Sequence, residues 1–322
     1  MSEWNRVEGP RSFAFSDEGT LVYVDGPNRA VSELVQVDRR GVPKSLNLPK
    51  RSYGEFKISP DGKKIAVLLG DEKDDLWIHN SELDSWSRFT VEGNNSVPVW
   101  SPDGTQLIYT SMRNDISGVY RKNLDGSGGE EQLTQAPKGH RVGPIGLTSD
   151  ANYLFLTGVP GELQVFFLDH VKSAESRPYL TISKNVWFVS LSPDSRWLTY
   201  TSDHLGPWEV FVEDFPRATQ RWKVSLDGGE ESRWSVDGKE LFYRNKDKWF
   251  VVPIDTTEGF KAGKPTVLFE GSYINVYGYS WDVYPDGQRF LVLRPEEQKN
   301  PRQIRIILNW FEELKQKVPV GK

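Results

Sequence analysis

The sequence predicts an all-β protein built as a β-propeller of four-stranded blades, with a short helix near the C-terminal end. Three observations lead to this prediction: a turn phrase that recurs, a nearly constant spacing between its copies, and an apolar run after most copies. Repeats of roughly 40–50 residues that each hold several short strands are typical of propeller blades. No helical period runs through the body of the chain.

The recurring phrase is Ser-Pro-Asp-Gly in its clearest copies, and successive copies are 42 to 49 residues apart. In this phrase proline presets φ, aspartate hydrogen-bonds the local backbone and glycine accepts a positive φ. Each copy therefore predicts a tight turn between two strands. The clear copies occupy residues 59–62 and 101–104, the altered copies 192–195, 235–238 and 284–287, and the worn copies 16–19 and 148–151.

The second repeat shows the predicted blade. Residues 55–58 lead into the turn, and residues 65–69 form an apolar run of the kind found in strands that are covered on both faces. Residues 76–80 supply a third strand and residues 87–90 a fourth. The third repeat follows the same plan.

Seven copies predict seven blades, with six blades as the alternative if one worn copy is irregular. The last repeat offers only three strands before the helix, the third at residues 304–308. We expect its missing strand to come from the N-terminus, around residues 4–7, because such pairing closes the ring and removes a loose sheet edge. The predicted organisation is one propeller domain over residues 1–308 and a helical tail over residues 309–322.

The tail contains the one predicted helix. Asn309 and Glu312 have the spacing of a capping box, and Trp310, Phe311 and Leu314 would share one apolar face. We expect this helix to dock on the propeller. The alternative is a helix that binds a partner or a second copy of the chain.

Composition excludes several classes of function. The net charge is −5, with 40 basic and 45 acidic residues interspersed, which argues against a nucleic-acid partner. There is no cysteine, so disulfide and thiolate chemistry are excluded. No apolar run is long enough to span a membrane, and no cofactor is expected.

The Ser-Pro-Asp-Gly turns and the bulky apolar strands after them resemble the repeats of TolB-like bacterial propellers, over residues 13–308. Further passages look like the propeller at the C-terminus of some bacterial Ser/Thr protein kinases. That resemblance implies a sensor or interaction module, placed outside the cytoplasm if the chain is part of such a kinase and inside it otherwise. The chain has none of the kinase catalytic motifs, so no kinase activity is expected. The passages are residues 94–104, 233–244, 267–271 and 308–315.

Several residues of types that could bind a metal or act in catalysis are interpreted as structural. The turn aspartates recur once per blade and so lie far apart, which favours turn residues over metal ligands. The acidic run at 71–75 and the glycines at 126–129 are interpreted as a solvated loop and a flexible turn. No Gly-x-Ser-x-Gly elbow is present for serine hydrolysis. The aspartates concerned are Asp61, Asp103, Asp194, Asp237 and Asp286.

The four histidines show no metal-ligand spacing, and only one of them is kept as a candidate for a site. That residue is His140, in a loop that should face the mouth of the channel. The other three are His79, His170 and His204.

The predicted binding surface is the face that carries the blade-to-blade connections and the turns between second and third strands, called the loop face below. Function is usually placed on such loops, and aromatic and arginine side chains are enriched at binding hot spots. Trp187 and Tyr279 lie there too, but we expect both to be core. The predicted ligand-binding residues are Tyr53, Asn95, Arg113, His140, Arg141, Trp208, Glu230, Glu231 and Tyr277.

The predicted function is therefore a non-catalytic propeller, a sensor or interaction module that binds a protein, a peptide or a small ligand. The alternative is a propeller enzyme, a metal-dependent lyase or hydrolase with its site in the central channel. No catalytic residue is assigned.

Overall fold

The computed structural model describes residues 13–16, 19–24, 31–70, 73–148, 153–159, 162–168, 176–180, 186–276, 278–296 and 304–317. The first strands are β1 (Phe13–Phe15), β2 (Leu21–Val24), β3 (Ser32–Asp38), β4 (Pro43–Ser45), β5 (Tyr53–Ile58), β6 (Lys64–Leu69), β7 (Asp75–Asn80), β8 (Ser85–Arg88), β9 (Asn94–Trp100) and β10 (Gln106–Arg113). They are followed by β11 (Ile116–Asn123), β12 (Glu130–Gln135), β13 (Arg141–Leu147), β14 (Tyr153–Val159), β15 (Glu162–Leu168), β16 (Ser176–Leu180), β17 (Val186–Leu191), β18 (Trp197–Ser202) and β19 (Glu209–Asp214). The last elements are β20 (Arg221–Lys223), β21 (Glu230–Trp234), β22 (Glu240–Asn245), β23 (Lys248–Asp255), β24 (Lys261–Ala262), β25 (Thr266–Glu270), β26 (Trp281–Val283), β27 (Arg289–Pro295), β28 (Ile304–Ile307) and the helix α1 (Trp310–Lys317).

Six antiparallel sheets form a closed ring. Blades I to IV are β5–β8, β9–β12, β13–β16 and β17–β20, blade V is β21–β25, and blade VI is ordered β26-β27-β3-β4. The innermost strands β5, β9, β13, β17, β21 and β26 contact one another in that order, and β26 contacts β5 in turn. The described residues are thus an all-β propeller with one short helix.

Blade VI joins the two ends of the chain. β27 pairs with β3 over seven residues, from Arg289 opposite Asp38 to Pro295 opposite Ser32. The N-terminal part therefore contributes two strands to the last blade, whereas one was expected from the sequence. The expected segment at residues 4–7 lies outside the described residues.

The seven-blade prediction is wrong because one predicted hairpin lies outside the ring. β1 and β2 pair with each other, and β2 pairs with β28 to form a separate three-stranded sheet. The edge of β27 that β28 was expected to cover is already occupied by β3. The described strands give six sheets in the ring, which corresponds to the six-blade alternative.

The helix α1 begins at Trp310 and docks on this accessory sheet. The Trp310 backbone N–H donates to the carbonyl of Gly19, at 2.6 Å, and the backbone carbonyl of Asn309 accepts from the backbone N–H of Glu312 at 3.0 Å. Asn309 has a φ of 58° rather than the extended backbone usual for a helix N-cap. Docking of the helix was expected, but on the ring.

The second strand of a blade is covered on both faces, as its apolar sequence predicts. In β18 all six residues are buried, and in β6 five of six are. Aromatic side chains fill the spaces between blades, as where Phe242 of blade V packs edge-on against Phe290 of blade VI at 5.2 Å between ring centroids. Burying apolar surface contributes about 25 cal/mol per Å², so these inter-blade layers stabilise the ring.

The turn aspartates hydrogen-bond their own turns. At residues 59–62 the Ser59 hydroxyl donates to Asp61 Oδ1 at 2.5 Å, and the same oxygen accepts from the Lys63 backbone N–H at 3.0 Å. Asp103, Asp194 and Asp237 make equivalent contacts. These turns lie on the face of the ring opposite the loop face, called the turn face below.

Candidate binding site

Three of the predicted binding residues are buried and occupied by structural contacts. The Tyr53 side chain is 1% exposed, and its hydroxyl donates to the carbonyl of Pro49. Burial raises its pKa to about 12. The Asn95 side-chain amide donates to the backbone carbonyls of Glu92 and Asp74, at 3.0 and 3.1 Å. Neither residue can contact a ligand in this arrangement.

The Glu231 side chain is the third buried residue. Its carboxylate accepts hydrogen bonds from the Ser280 backbone N–H at 2.7 Å and from the Ser280 hydroxyl. The Arg244 guanidinium lies 3.7 Å from it. Burial raises the pKa of Glu231 to about 7, against the effect of Arg244 and Ser280. Glu231 joins blade V to blade VI, and we therefore remove it, with Tyr53 and Asn95, from the proposed binding surface.

Arg113 and Glu230 are half-buried on the loop face. The Arg113 guanidinium lies 2.5 Å from Glu130 and 4.0 Å over the ring of Tyr120, so it is held within blade II. Burial raises the pKa of Glu230, which pairs opposite Arg244 between β21 and β22.

Trp208 is half-buried, and its carbonyl accepts from Gly229 at 2.9 Å. Tyr277 lies outside the described residues. Trp187, expected in the core, is half-buried in β17.

His140 and Arg141 are exposed, at the connection between blades II and III. The backbone N–H of His140 donates to the carbonyl of Pro137 at 3.0 Å, which shapes the connection into a turn. Lys138 is exposed in the same turn. The structure thus brings together three basic or ionisable side chains, Lys138, His140 and Arg141, which we call the 138–141 loop.

The central channel is lined at two levels by equivalent positions of the six innermost strands. The loop-side level consists of the residues four before the first turn residue of each copy: Glu55, Val97, Pro144, Phe188, Glu231 and Ser280. The turn-side level consists of the residues two before it: Lys57, Val99, Gly146, Ser190, Arg233 and Asp282. Each residue of the turn-side level pairs with the equivalent position of its second strand.

The loop-side level is held by carboxylates that bridge adjacent blades. Glu55 is buried and accepts from the backbone N–H groups of Val97 at 3.2 Å and Tyr279 at 3.4 Å. Burial raises its pKa to about 7, and the charge of Arg233 opposes that effect. Val97 and Glu231 have φ values of 50° and 54°, in β-bulges that turn their N–H groups out of the strand ladder.

The turn-side level carries a charged cluster between blades V, VI and I. The Asp282 carboxylate lies 2.9 Å from the Lys57 ammonium and 3.5 Å from Arg233 Nε, and it accepts from the Ile58 backbone N–H at 2.9 Å. Burial opposes its ionisation, but Lys57 and Arg233 outweigh that effect and hold the pKa of Asp282 below its usual range. Burial lowers the pKa of Lys57 to about 8.

Tyr279 reaches across the channel between the two levels. Its hydroxyl lies within hydrogen-bonding distance of the carbonyls of Val189 in blade IV and Ser232 in blade V, at 3.3 and 3.4 Å. Its ring packs against Phe188 at 5.3 Å between centroids and carries the Arg233 guanidinium at 3.3 Å. Burial raises the pKa of Tyr279, so it stays neutral and donates.

The turn-side level was not predicted from the sequence, because the prediction placed the whole site on the loops. Aligning the repeats on the turn phrase and comparing the residue two before it would have shown Lys57, Arg233 and Asp282 among small or apolar residues. Among the described residues, no group of three or more His, Asp or Glu side chains is placed to hold a metal ion. The described part of the chain also contains no helix that is long and apolar enough to span a membrane.

Comparison with known proteins supports the fold. No protein-family model matches the sequence. An uncharacterized protein of Agrobacterium fabrum is 25% identical over 201 residues, which are 58% of this chain and 67% of that protein. The solved structure of a putative TolB from Agrobacterium tumefaciens has a TM-score of 0.64 at 16% identity, over 83% of this chain and 99% of that one.

Two further structures are similar at lower scores. TolB from Acinetobacter baumannii has a TM-score of 0.56 at 17% identity, over 77% of this chain and 68% of that one. An oligogalacturonate lyase in complex with manganese has a TM-score of 0.57 at 15% identity, over 88% of each chain. At such identities the likeness concerns the fold alone. The fold belongs to the class of β-propellers, and within that class it is TolB-like.

Proposed function

We propose that this chain is a non-catalytic binding propeller that takes a protein or peptide segment on its loop face. One observation carries the proposal: the 138–141 loop presents charged and ionisable side chains that bind no other described residue. Within the part of the chain that the structure describes, Lys138, His140 and Arg141 make no side-chain hydrogen bond, ion pair or ring contact. By contrast, Arg113 on the same face is held by Glu130 and Tyr120.

The charge of the loop suggests the chemistry of the partner. Lys138 and Arg141 are cations, and no acidic residue lies between positions 136 and 142. An exposed arginine can bind a carboxylate through two parallel N–H···O bonds. We therefore propose a segment with an acidic side chain as the ligand of this face.

More specifically, we propose a role as a sensor or interaction module of a bacterial Ser/Thr kinase. The resemblance of residues 94–104, 233–244, 267–271 and 308–315 to the propeller of such kinases supports this role. A propeller of that kind would use its loop face in the same way, with ligand binding at the 138–141 loop as the first event.

The enzyme alternative would place a titratable group open to the channel. Glu55 and Glu231 have the raised pKa values that such a role requires. Both are buried, however, and their oxygens accept backbone N–H groups from a neighbouring blade. Their contacts account for both carboxylates as inter-blade links, and we favour binding over catalysis.

Selection from a library of random displayed peptides on the immobilised chain tests the proposal. We expect enriched peptides to contain Asp or Glu, and we expect Arg141→Glu to weaken their binding by about tenfold or more, which corresponds to about 1.4 kcal/mol. Arg217→Glu is the matched control, because Arg217 is exposed in the turn between β19 and β20, on the turn face. Equal affinity for both variants, or no enriched peptide, would contradict the proposal.

A further inference from the structure

The Arg233 guanidinium is buried without a full set of hydrogen-bond partners. Its side chain is 8% exposed, and one face is covered by the Tyr279 ring at 3.3 Å. Its Nε lies 3.5 Å from Asp282 Oδ1 but donates no hydrogen bond. Among the described residues, Nε has no hydrogen-bond partner although it is buried, whereas Nη1 and Nη2 are not buried atoms of this kind. A guanidinium carries five N–H donors, and a buried donor left unused costs free energy unless something else binds it.

The same level of the channel offers a second cation. Lys57 is in the equivalent position of blade I, and its side chain is 28% exposed. Its ammonium lies 2.9 Å from Asp282 Oδ1, the oxygen from which Arg233 Nε is 3.5 Å away. Asp282 thus stands between the two cations and fixes both beside the channel.

Space beside these cations is provided by small residues. Gly146 in blade III and Ser190 in blade IV occupy the equivalent positions of the turn-side level, and both are partly exposed. A Cβ placed on Gly146 would meet no heavy atom within 4 Å. The turn-side level therefore has free space beside Gly146.

Charge at this level sets the class of ligand. Lys57, Arg233 and Asp282 sum to a single positive charge, and buried Glu55 lies on the next level of the channel. A singly charged planar anion would neutralise the level and match the fork of Arg233. A doubly charged anion would face two buried carboxylates, Asp282 and Glu55.

We propose that the turn-side level of the channel binds one carboxylate group, which accepts hydrogen bonds from Arg233 and pairs with Lys57. The carboxylate comes either from a small organic acid or from the C-terminus of a peptide. This site lies at the other end of the channel from the 138–141 loop and does not depend on that loop, so either proposal can fail while the other stands.

Calorimetric titration of the purified chain tests the site with four probes: acetate, N-acetyl-trialanine, its C-terminal amide and inorganic phosphate. We expect saturable binding of N-acetyl-trialanine and none of its amide. Acetate that binds as well as the peptide identifies a small acid as sufficient, whereas weaker binding of acetate identifies a peptide terminus. Phosphate that binds more tightly than both carboxylates, or no saturable binding of a carboxylate up to about 10 mM, would overturn the proposal.

Three variants locate the site. Arg233→Gln should weaken carboxylate binding by about tenfold or more. Lys57→Met should also weaken it, because methionine removes the charge of Lys57 but keeps an unbranched apolar side chain. Gly146→Val should fill the free space beside Gly146 and abolish binding without touching either cation. Arg217→Gln, an exposed cation on the turn face, is the matched control and should bind as the wild type does.

Gly146→Val and Lys57→Met decide the outcome if Arg233→Gln fails to fold. A folded Gly146→Val chain that still binds the carboxylate with wild-type affinity would overturn the assignment, and so would a folded Lys57→Met chain that does. Loss of binding in both, with Arg141→Glu unaffected, would support the turn-side site independently of the loop-face proposal.

Discussion

The carboxylate of Asp282, in the last repeat of the chain, lies 2.9 Å from the ammonium of Lys57, in the first blade. The other carboxylate oxygen accepts from the backbone N–H of Ile58 at 2.9 Å. Together with the pairing of β27 and β3, this contact closes the ring. It also places the two cations of the turn-side level, Lys57 and Arg233, on either side of one buried acid.

Asp282→Ala should lower the free energy of unfolding by about 3–5 kcal/mol, because it leaves two partly buried cations without their counter-charge. Urea unfolding followed by tryptophan fluorescence measures this loss. Glu82→Ala is the matched control. It breaks the ion pair between Glu82 and Lys63, in which both side chains are more than half exposed, and it should cost less than about 1 kcal/mol. Similar losses in both variants would show that Asp282 is not a closing contact.

The pH dependence of stability should report the buried carboxylates Glu231 and Glu55. Their pKa values are raised by burial to about 7, above the ordinary 4.5 of the unfolded chain. Between these values the unfolded state releases the proton first, so their contribution to stability is greatest below about pH 4.5 and falls until about pH 7. Asp282 has the opposite effect on stability. Because its pKa is lowered in the folded chain, its contribution to stability is present above the ordinary value near 3.8 and is lost as the pH falls below that value.

Glu231→Gln should therefore flatten the fall in unfolding free energy between pH 5 and pH 7.5, by up to about 3 kcal/mol. The amide oxygen can still accept from Ser280, so the contact between blades V and VI is largely kept. Glu258→Gln is the control at an exposed position. Urea unfolding at pH 5 and pH 7.5 measures this difference. If the unfolding free energy falls by the same amount between the two pH values in wild type and Glu231→Gln, the raised pKa of Glu231 is contradicted.

Gly278 has no room for a side chain. Its φ is +93°, and a Cβ there would lie 2.8 Å from the carboxyl group of Glu55. Gly278→Ala should cost more than about 1 kcal/mol, since it combines backbone strain with displacement of an inter-blade link. Gly259→Ala separates the two effects, because Gly259 has a φ of +106° with no heavy atom within 4 Å of its would-be Cβ. Equal destabilisation of the two variants would mean that backbone strain accounts for the whole loss.

The turn aspartates should act on stability and on no metal. Asp103→Ala removes the acceptor for the Ser101 hydroxyl at 2.6 Å and for the Thr105 backbone N–H at 3.1 Å, and should cost about 1 kcal/mol. Adding a chelator should leave the urea midpoint of the wild-type chain unchanged. A midpoint that falls with chelator in the wild type, but not in Asp103→Ala, would instead assign a cation to the turn.

The propeller could be predicted from the sequence because its turns are local. A Ser-Pro-Asp-Gly phrase dictates its own backbone, as the contacts of Asp61 within its turn show. The number of blades is not local in this sense. The strands on either side of the worn phrase at 16–19, β1 and β2, pair with each other as expected, but β2 also pairs with β28 outside the ring. Which edge receives which strand depends on pairing between distant parts of the chain.

The site was predicted less well, because position in a repeat does not fix burial. Tyr53, Asn95 and Glu231 occupy the expected starts of the innermost strands, yet their side chains turn into the fold. Only the three-dimensional arrangement shows that Glu231 meets Ser280 of the next blade. Arg141, two residues after a glycine in an exposed connection, kept its predicted exposure because nothing packs over that loop among the described residues.

A fragment of residues 31–296 tests the ring most directly, because it keeps all six ring sheets and lacks the accessory sheet and the helix. We predict that it unfolds in one cooperative urea transition and keeps the near-ultraviolet circular dichroism of packed aromatic residues. A companion fragment of residues 47–296, which lacks β3 and β4, should lose both properties. Loss of the cooperative transition in the longer fragment, or its retention in the shorter one, would contradict a six-sheet ring closed by β3.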